Sequence, residues 1–173
     1  GLWLALLKEV KEYRKLIMKT LCSDKKIVEL ITDNSNSPVP NRNLMYTRIF
    51  PYAYTPDVTK EASTYICYRV ASPRVMNKTY KQMEISFYIF THQSLMRTSD
   101  GLRPDDIGEA IEELFNGSLE LGLGRVKLEG MDDINPITDY HGIALQYSVA
   151  EYNRPSINGD KGRWGGWQML KVY

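Results

Sequence analysis

A chain of 173 residues has room for one ordinary domain and is short for two. With 43% hydrophobic and 25% charged residues, its composition is that of an average folded domain, which excludes wholesale disorder. Its 22 Lys and Arg against 21 Asp and Glu lack the excess of a dedicated nucleic-acid binder, though a locally basic surface stays open, and two Cys with two His cannot build a disulfide scaffold or a cysteine zinc site.

The chain begins GLWLALLKEVKEYRKLIMKTL, without an initiator Met, and is expected to be a processed or trimmed start. Its apolar run over residues 2–7 is far short of a membrane span and is followed by no small-residue cleavage site. Leu6, Val10, Tyr13, Ile17 and Leu21 then step by three and four, which predicts one buried stripe of an α-helix. Ser23 or Asp24 offers an N-cap for a second, short helix carrying Ile27, Val28, Leu30 and Ile31. TDNSNSPVPN ends it as a loop.

Residues 44–50 are β-prone and stop at Pro51, and PYAYTPDVT reads as an aromatic loop between prolines. A second strand is predicted over residues 64–70, halted by Ser72-Pro73. The third and strongest strand covers residues 80–91, where Met83, Ile85, Phe87 and Ile89 alternate with Glu84, Ser86 and Tyr88. SDGLRPDDIGEAIEELFNGS places Pro104 at a first helical position and Asp105 and Asp106 in the first turn, where the helix dipole favours anions. Ile107, Ala110, Ile111, Leu114 and Phe115 supply the apolar face and Gly117 the C-terminal cap. Residues 124–130 and 143–152 are two further strands joined by MDDINPITDYHG.

The order α-α-β-β-β-α-β-β with short connections predicts an α+β fold, an antiparallel sheet of about five strands with helices packed on one face. Residues 1–153 form the expected single domain, with N-terminal helices in 1–31 and the sheet and third helix in 44–153. Residues 154–173, rich in Gly, basic and aromatic residues, read as an extended C-terminal tail that docks onto its own body or a neighbour.

Chemistry has few footholds. His92 lies at the mouth of a strand near Asp100 and Arg103, and His141 beside Asp139 and Tyr140, but neither has a nucleophile or paired carboxylate in a matching context. LGLGRV lacks the third glycine of a dinucleotide fingerprint and runs from helix to strand, the reverse of that motif. Asp105-Asp106 and Asp132-Asp133 are explained by a helix start and a solvated turn without a cation. Cys22 and Cys67 read as two small buried thiols. Catalytic, cofactor and metal residues are therefore expected to be none. Tyr, Trp and Arg are the residue types that anchor protein interfaces, which makes Tyr52, Tyr54, His92, Arg97, Arg103, Trp164 and Trp167 the candidate protein-contact residues.

RIFPYAYTPDV, EASTYICYRV, FYIFTHQSLMRTSDGLRPDDI, LFNGS, GLGRVKLEG and DYHGIALQY, all within residues 46–153, resemble the tail-terminator or tail-to-head joining proteins of long-tailed bacteriophages. The resemblance implies a structural virion protein and no enzyme: a compact subunit that assembles with itself into a ring, commonly of six copies, in the neck between head and tail. Its implied partners are the tail tube protein and the head connector or stopper protein. DNA passes through the lumen without sequence recognition, and no membrane and no cofactor are implied. The loops over residues 51–59 and 92–103 are then the expected contact surfaces. Another head-completion or adaptor protein of the virion is the alternative of the same kind, and a small enzyme using His92 or His141 the alternative of a different one.

Overall fold

The computed structural model describes residues 2–32, 44–75, 80–116 and 125–152. The elements in order are α1 (Leu2–Ser23), α2 (Lys25–Thr32), β1 (Ile49–Phe50), β2 (Thr64–Val75), β3 (Tyr80–His92), a 3-10 turn (Gln93–Leu95), α3 (Arg103–Phe115), β4 (Arg125–Ile134) and β5 (Tyr140–Tyr152). The fold is α+β with the predicted element order and an open five-stranded sheet, β1-β2-β3-β5-β4.

The four long strands are antiparallel, as expected, but β1 runs parallel to β2, so the sheet is mixed. The cause is the connection. Two antiparallel strands can be joined by a tight turn, whereas residues 51–63 are long enough to carry the chain back to begin β2 in the same direction.

The stripe predicted for α1 is buried in full: Leu6, Val10, Tyr13, Ile17 and Leu21 all face the core. Asp24 is the N-cap of α2, where its carboxylate accepts a hydrogen bond from the Ile27 amide at 3.0 Å. In α3, Pro104 and the first-turn Asp105 and Asp106 lie where predicted, and Ile107, Ala110, Ile111 and Phe115 are buried. Asn116 closes the helix, and the cap expected of Gly117 lies outside the described residues. All three helices join one apolar cluster with Ile66, Tyr68 and Val70 of β2, Met83, Ile85, Phe87 and Ile89 of β3, and Ile143, Leu145, Tyr147 and Val149 of β5. The helices cover one face of the sheet.

Polar atoms inside this layer are paired. The Tyr68 hydroxyl donates to the Arg14 carbonyl at 2.6 Å, and the Arg14 guanidinium donates to the Val70 carbonyl on the outer edge of β2. Thr64 and Thr91, directly opposite across β2 and β3, join their hydroxyls at 2.7 Å. The Tyr147 hydroxyl donates to Glu112 of α3, whose other oxygen receives Asn116.

Strand boundaries depart from the sequence reading in four places. Only Ile49 and Phe50 of the expected 44–50 strand pair with β2. Leu44 is buried and residues 45–48 form a turn in which Tyr46 takes a positive φ of 60°. β2 continues through Ser72-Pro73 to Val75, because a shift of register between Ala71 and Arg74 absorbs the proline. β4 runs on through residues 131–134, and β5 begins at Tyr140, which shortens the expected connection to a turn over residues 135–139 with Asp139 at φ 69°. β4 also shifts register between Leu128 and Gly130.

Gly142 fixes how closely β3 and β5 approach. A Cβ there would lie 1.8 Å from the Ile89 carbonyl oxygen and 2.6 Å from the Phe90 Cα, and no rotamer change can relieve a backbone clash. Gly142→Ala is expected to destabilise the fold by at least about 3 kcal/mol, the upper range for overpacking, measured by urea unfolding.

Candidate functional site

Among the described residues, the face of the sheet away from the helices is covered at one end only. Residues with side chains on this face include Tyr65 and Cys67 of β2, Tyr88, Phe90 and His92 of β3, and Tyr140 of β5. Phe50 at the end of β1 faces the same way, and the loop that follows folds Tyr54 onto it with ring centroids 3.9 Å apart and planes 7° from parallel. Tyr65 sits at the middle of the cluster, 5.4 Å from Tyr54, 5.7 Å from Phe90 and 6.1 Å from Tyr140. The Arg48 guanidinium lies 5.8 Å from the Tyr65 ring. This second, aromatic core anchors the loop that the sequence presents as a contact loop.

The anchoring separates the two tyrosines of that loop. Tyr54 is half-buried in the stack, whereas Tyr52 is 51% exposed and only edges against Phe50. Tyr52 lies 6.5 Å from Tyr46, which is 56% exposed, and Met45 beside it is 48% exposed. Together they form an apolar ledge along the β1 edge of the sheet. Tyr46 and Met45 escape the sequence reading because an alternating strand would place one of them inside. Their exposure follows from the turn at residues 45–48.

Beyond the aromatic cluster the same face is polar and open, with Arg69, Glu84 and Gln146 exposed and Ser148 donating to Glu129 at 2.6 Å. On the far edge, Met131 of β4 is 61% exposed.

His92 closes β3. Its Nδ1 accepts from the Ser94 amide at 3.1 Å and meets the Ser94 hydroxyl at 2.8 Å, capping the 3-10 turn, and its ring stands edge-on to Tyr140. An accepting Nδ1 puts the neutral ring's proton on Nε2. The geometry is that of a strand-end cap. His141 faces the opposite side of the sheet, with Nδ1 3.1 Å from the Asn135 side-chain nitrogen, so the two histidines do not converge.

Arg97 is exposed, opposite Leu102 in an isolated bridge that pinches the loop between them. Arg103 is only 5% exposed. Its Nε donates to the Leu95 carbonyl at 2.8 Å and an Nη to the Leu30 carbonyl at 2.7 Å. Leu30 is in the last turn of α2, so the guanidinium satisfies an otherwise orphan carbonyl at the negative end of that helix. Arg97 and Arg103 also line an open groove of about 760 Å3 with Lys26, Glu29, Asp100 and Asp106. The Thr98 hydroxyl donates to Asp106 across it at 2.6 Å. Trp164 and Trp167 lie outside the described residues.

Among the described residues no cluster of three or more His, Cys, Asp or Glu is placed to hold a metal ion, and no helix is long and apolar enough to cross a membrane. Cys67 is buried in the aromatic cluster, where burial pushes its thiol up to about 11, while Cys22 is half-buried in place of the full burial expected of it.

The family described as YomW matches residues 24–149. This chain belongs to the YomW family. The YomW match runs from the cap of α2 to the last core residue of β5, so it takes in both faces of the sheet, the ledge and the loop at His92. No curated protein and no solved structure matches the chain.

Burial raises the hydroxyls of Tyr65, Tyr68, Tyr140 and Tyr147 above their ordinary value, with Glu112 adding to the rise at Tyr147. The folded state therefore holds these protons more tightly than the unfolded chain does. Their contribution is fully present below the ordinary tyrosine range of about 10 and is lost as pH rises above it, with Cys67 adding to the loss from about 9 upward. Thermal unfolding is expected at constant temperature from neutral pH to about 9 and at falling temperature beyond, with Tyr65→Phe giving a shallower fall.

Proposed function

We propose that this chain is a structural virion protein, the ring-forming tail terminator or head-tail joining subunit in the neck of a long-tailed bacteriophage. In this role it is not an enzyme. Copies, six in the commonest arrangement, close a ring that caps the tail tube on one side and meets the head connector or stopper protein on the other, and DNA passes through the lumen.

The observation that supports this reading best is the distribution of exposed apolar side chains. Among the described residues, Met45, Tyr46 and Tyr52 beside β1 and Met131 on β4 lie at two unlike edges of an open sheet, while the other large exposed ones, Leu4 and Leu7 on α1 and Val58 and Leu102 in loops, lie away from the strands. A ring built from one kind of subunit needs two different patches on each copy, because its contacts are head-to-tail. Aromatics and methionine are the residue types enriched in such contacts. A nearly balanced charge suits a subunit that meets protein on most sides and lets DNA pass without reading it. Of the stretches that resemble the neck proteins, RIFPYAYTPDV supplies Tyr52 of the ledge and FYIFTHQSLMRTSDGLRPDDI the loop at His92.

Light scattering on the purified full chain, with electron microscopy of the same fractions, is expected to find annular particles. A chain that remains monomeric alone and alongside tail tube or connector protein would falsify the ring reading. Replacing His92 and His141 by Asn is expected to leave ring formation and particle infectivity intact. Loss of infectivity with normal folding and normal rings would favour an enzyme.

A further inference from the structure

The two exposed edges of the sheet are not merely unlike. They lie at the same height on the sheet. The pairing register runs in one row from Phe50 through Cys67, Tyr88 and Ala144 to Asp132, and in the next from Ile49 through Ile66, Ile89 and Ile143 to Asp133. The ledge at β1 and the Met131 end of β4 therefore sit at opposite ends of the same rows. Four strand spacings separate them, on the order of 19 Å. Three reversals of direction between β1 and β4 also leave these two edge strands antiparallel.

We infer that residues 131–133 of β4 in one copy dock on the Met45, Tyr46, Arg48 and Tyr52 ledge of the next, so that the two sheet edges are mates. The inference rests on the ring reading and names its subunit contact. Two copies placed side by side with their sheets level bring these segments together without any axial rise, the condition for a ring to close instead of climbing into a helix. Met131, opposite Leu145 on the helix face, comes to the Tyr46 side of the ledge, a favourable pairing of a soft thioether with an aromatic edge, and Asp132, on the face of Phe50, to the Tyr52 side. Charge is complementary as well: the half-buried Arg48, whose guanidinium lies against Tyr65, sits beside the ledge, and Asp132 and Asp133 are exposed on β4. The ion pairs Lys15–Glu12 and Lys26–Glu113 use none of Arg48, Asp132 and Asp133. The groove between α2 and α3 offers less, because its Arg103 and Asp106 are already held by partners within the fold.

The test uses the full chain with Cys22→Ser, which removes the half-buried thiol. In that background Tyr46→Cys and Met131→Cys together are expected to give a covalent ladder of several subunits on oxidation, and either one alone to give no ladder. Separately, Arg48→Glu and the pair Asp132→Arg with Asp133→Arg are each expected to raise the concentration for half-assembly about tenfold or more, and all three changes in one chain to restore it. Circular dichroism checks that each variant folds. Met131, Asp132 and Asp133 are all exposed, so the β4 arm stands even if Arg48→Glu disturbs the Tyr65 cluster. Oligomers of the wild-type chain, with no cross-link in the double-cysteine chain and no response to charge reversal, overturn the edge pairing and leave the ring reading standing. A wild-type monomer with no ladder overturns both.

Discussion

Strand β3 is hydrogen-bonded along both of its edges, to β2 on one side and to β5 along its whole length on the other. Its alternation decides which side chains reach the helices, and a slip of one residue would send Met83, Ile85, Phe87 and Ile89 to the wrong face. Everything else is arranged around that choice. The helices bury the odd-numbered face, and the even-numbered face ends in Tyr88, Phe90 and His92, where the aromatic loop closes over it. Gly142 makes the pairing tight enough to hold, since no side chain fits between its backbone and that of Ile89.

Two cores of different character follow from a sheet whose described helices all lie on one side. The helix side is a broad aliphatic and aromatic layer with each buried hydroxyl mentioned above satisfied. The other is a small ring cluster around Tyr65, held by edge and stacking contacts and by the cation on Arg48. The smaller cluster has a positioning role: it orders residues 51–54 and so sets where Tyr52 stands relative to Tyr46.

How much of this could be read from the residues depended on whether a feature is local. The α3 helix was legible because Pro104, the first-turn aspartates and the apolar spacing all point the same way, and β3 because its alternation is unbroken. The β1 region was not, since the fate of residues 44–50 is set by burial of Leu44 and a left-handed Tyr46, neither of which has a local signature. Asp132 and Asp133 looked like a turn, yet an edge strand tolerates charges that face water. Among the candidate contacts, the aromatic loop was recognisable, but the split between a stacked Tyr54 and an exposed Tyr52 depends on which face Phe50 takes. Arg103 was recognisable only as a charge. That it closes the end of α2 depends on a carbonyl 73 residues earlier in the chain.

The register shift between Leu128 and Gly130 has a bearing on solubility. A long, regular strand at a sheet edge offers a second chain an unbroken row of amides and carbonyls, the starting point of fibrous aggregation. In β4 that row is interrupted midway, and the outward side chains on either side of the break include Lys127, Glu129, Asp132 and Asp133. A partner strand can align with half of the edge at most. The chain can thus keep an edge accessible at high concentration without seeding a growing sheet, and recognition there is left to side chains, which can be selective, in place of backbone, which is not.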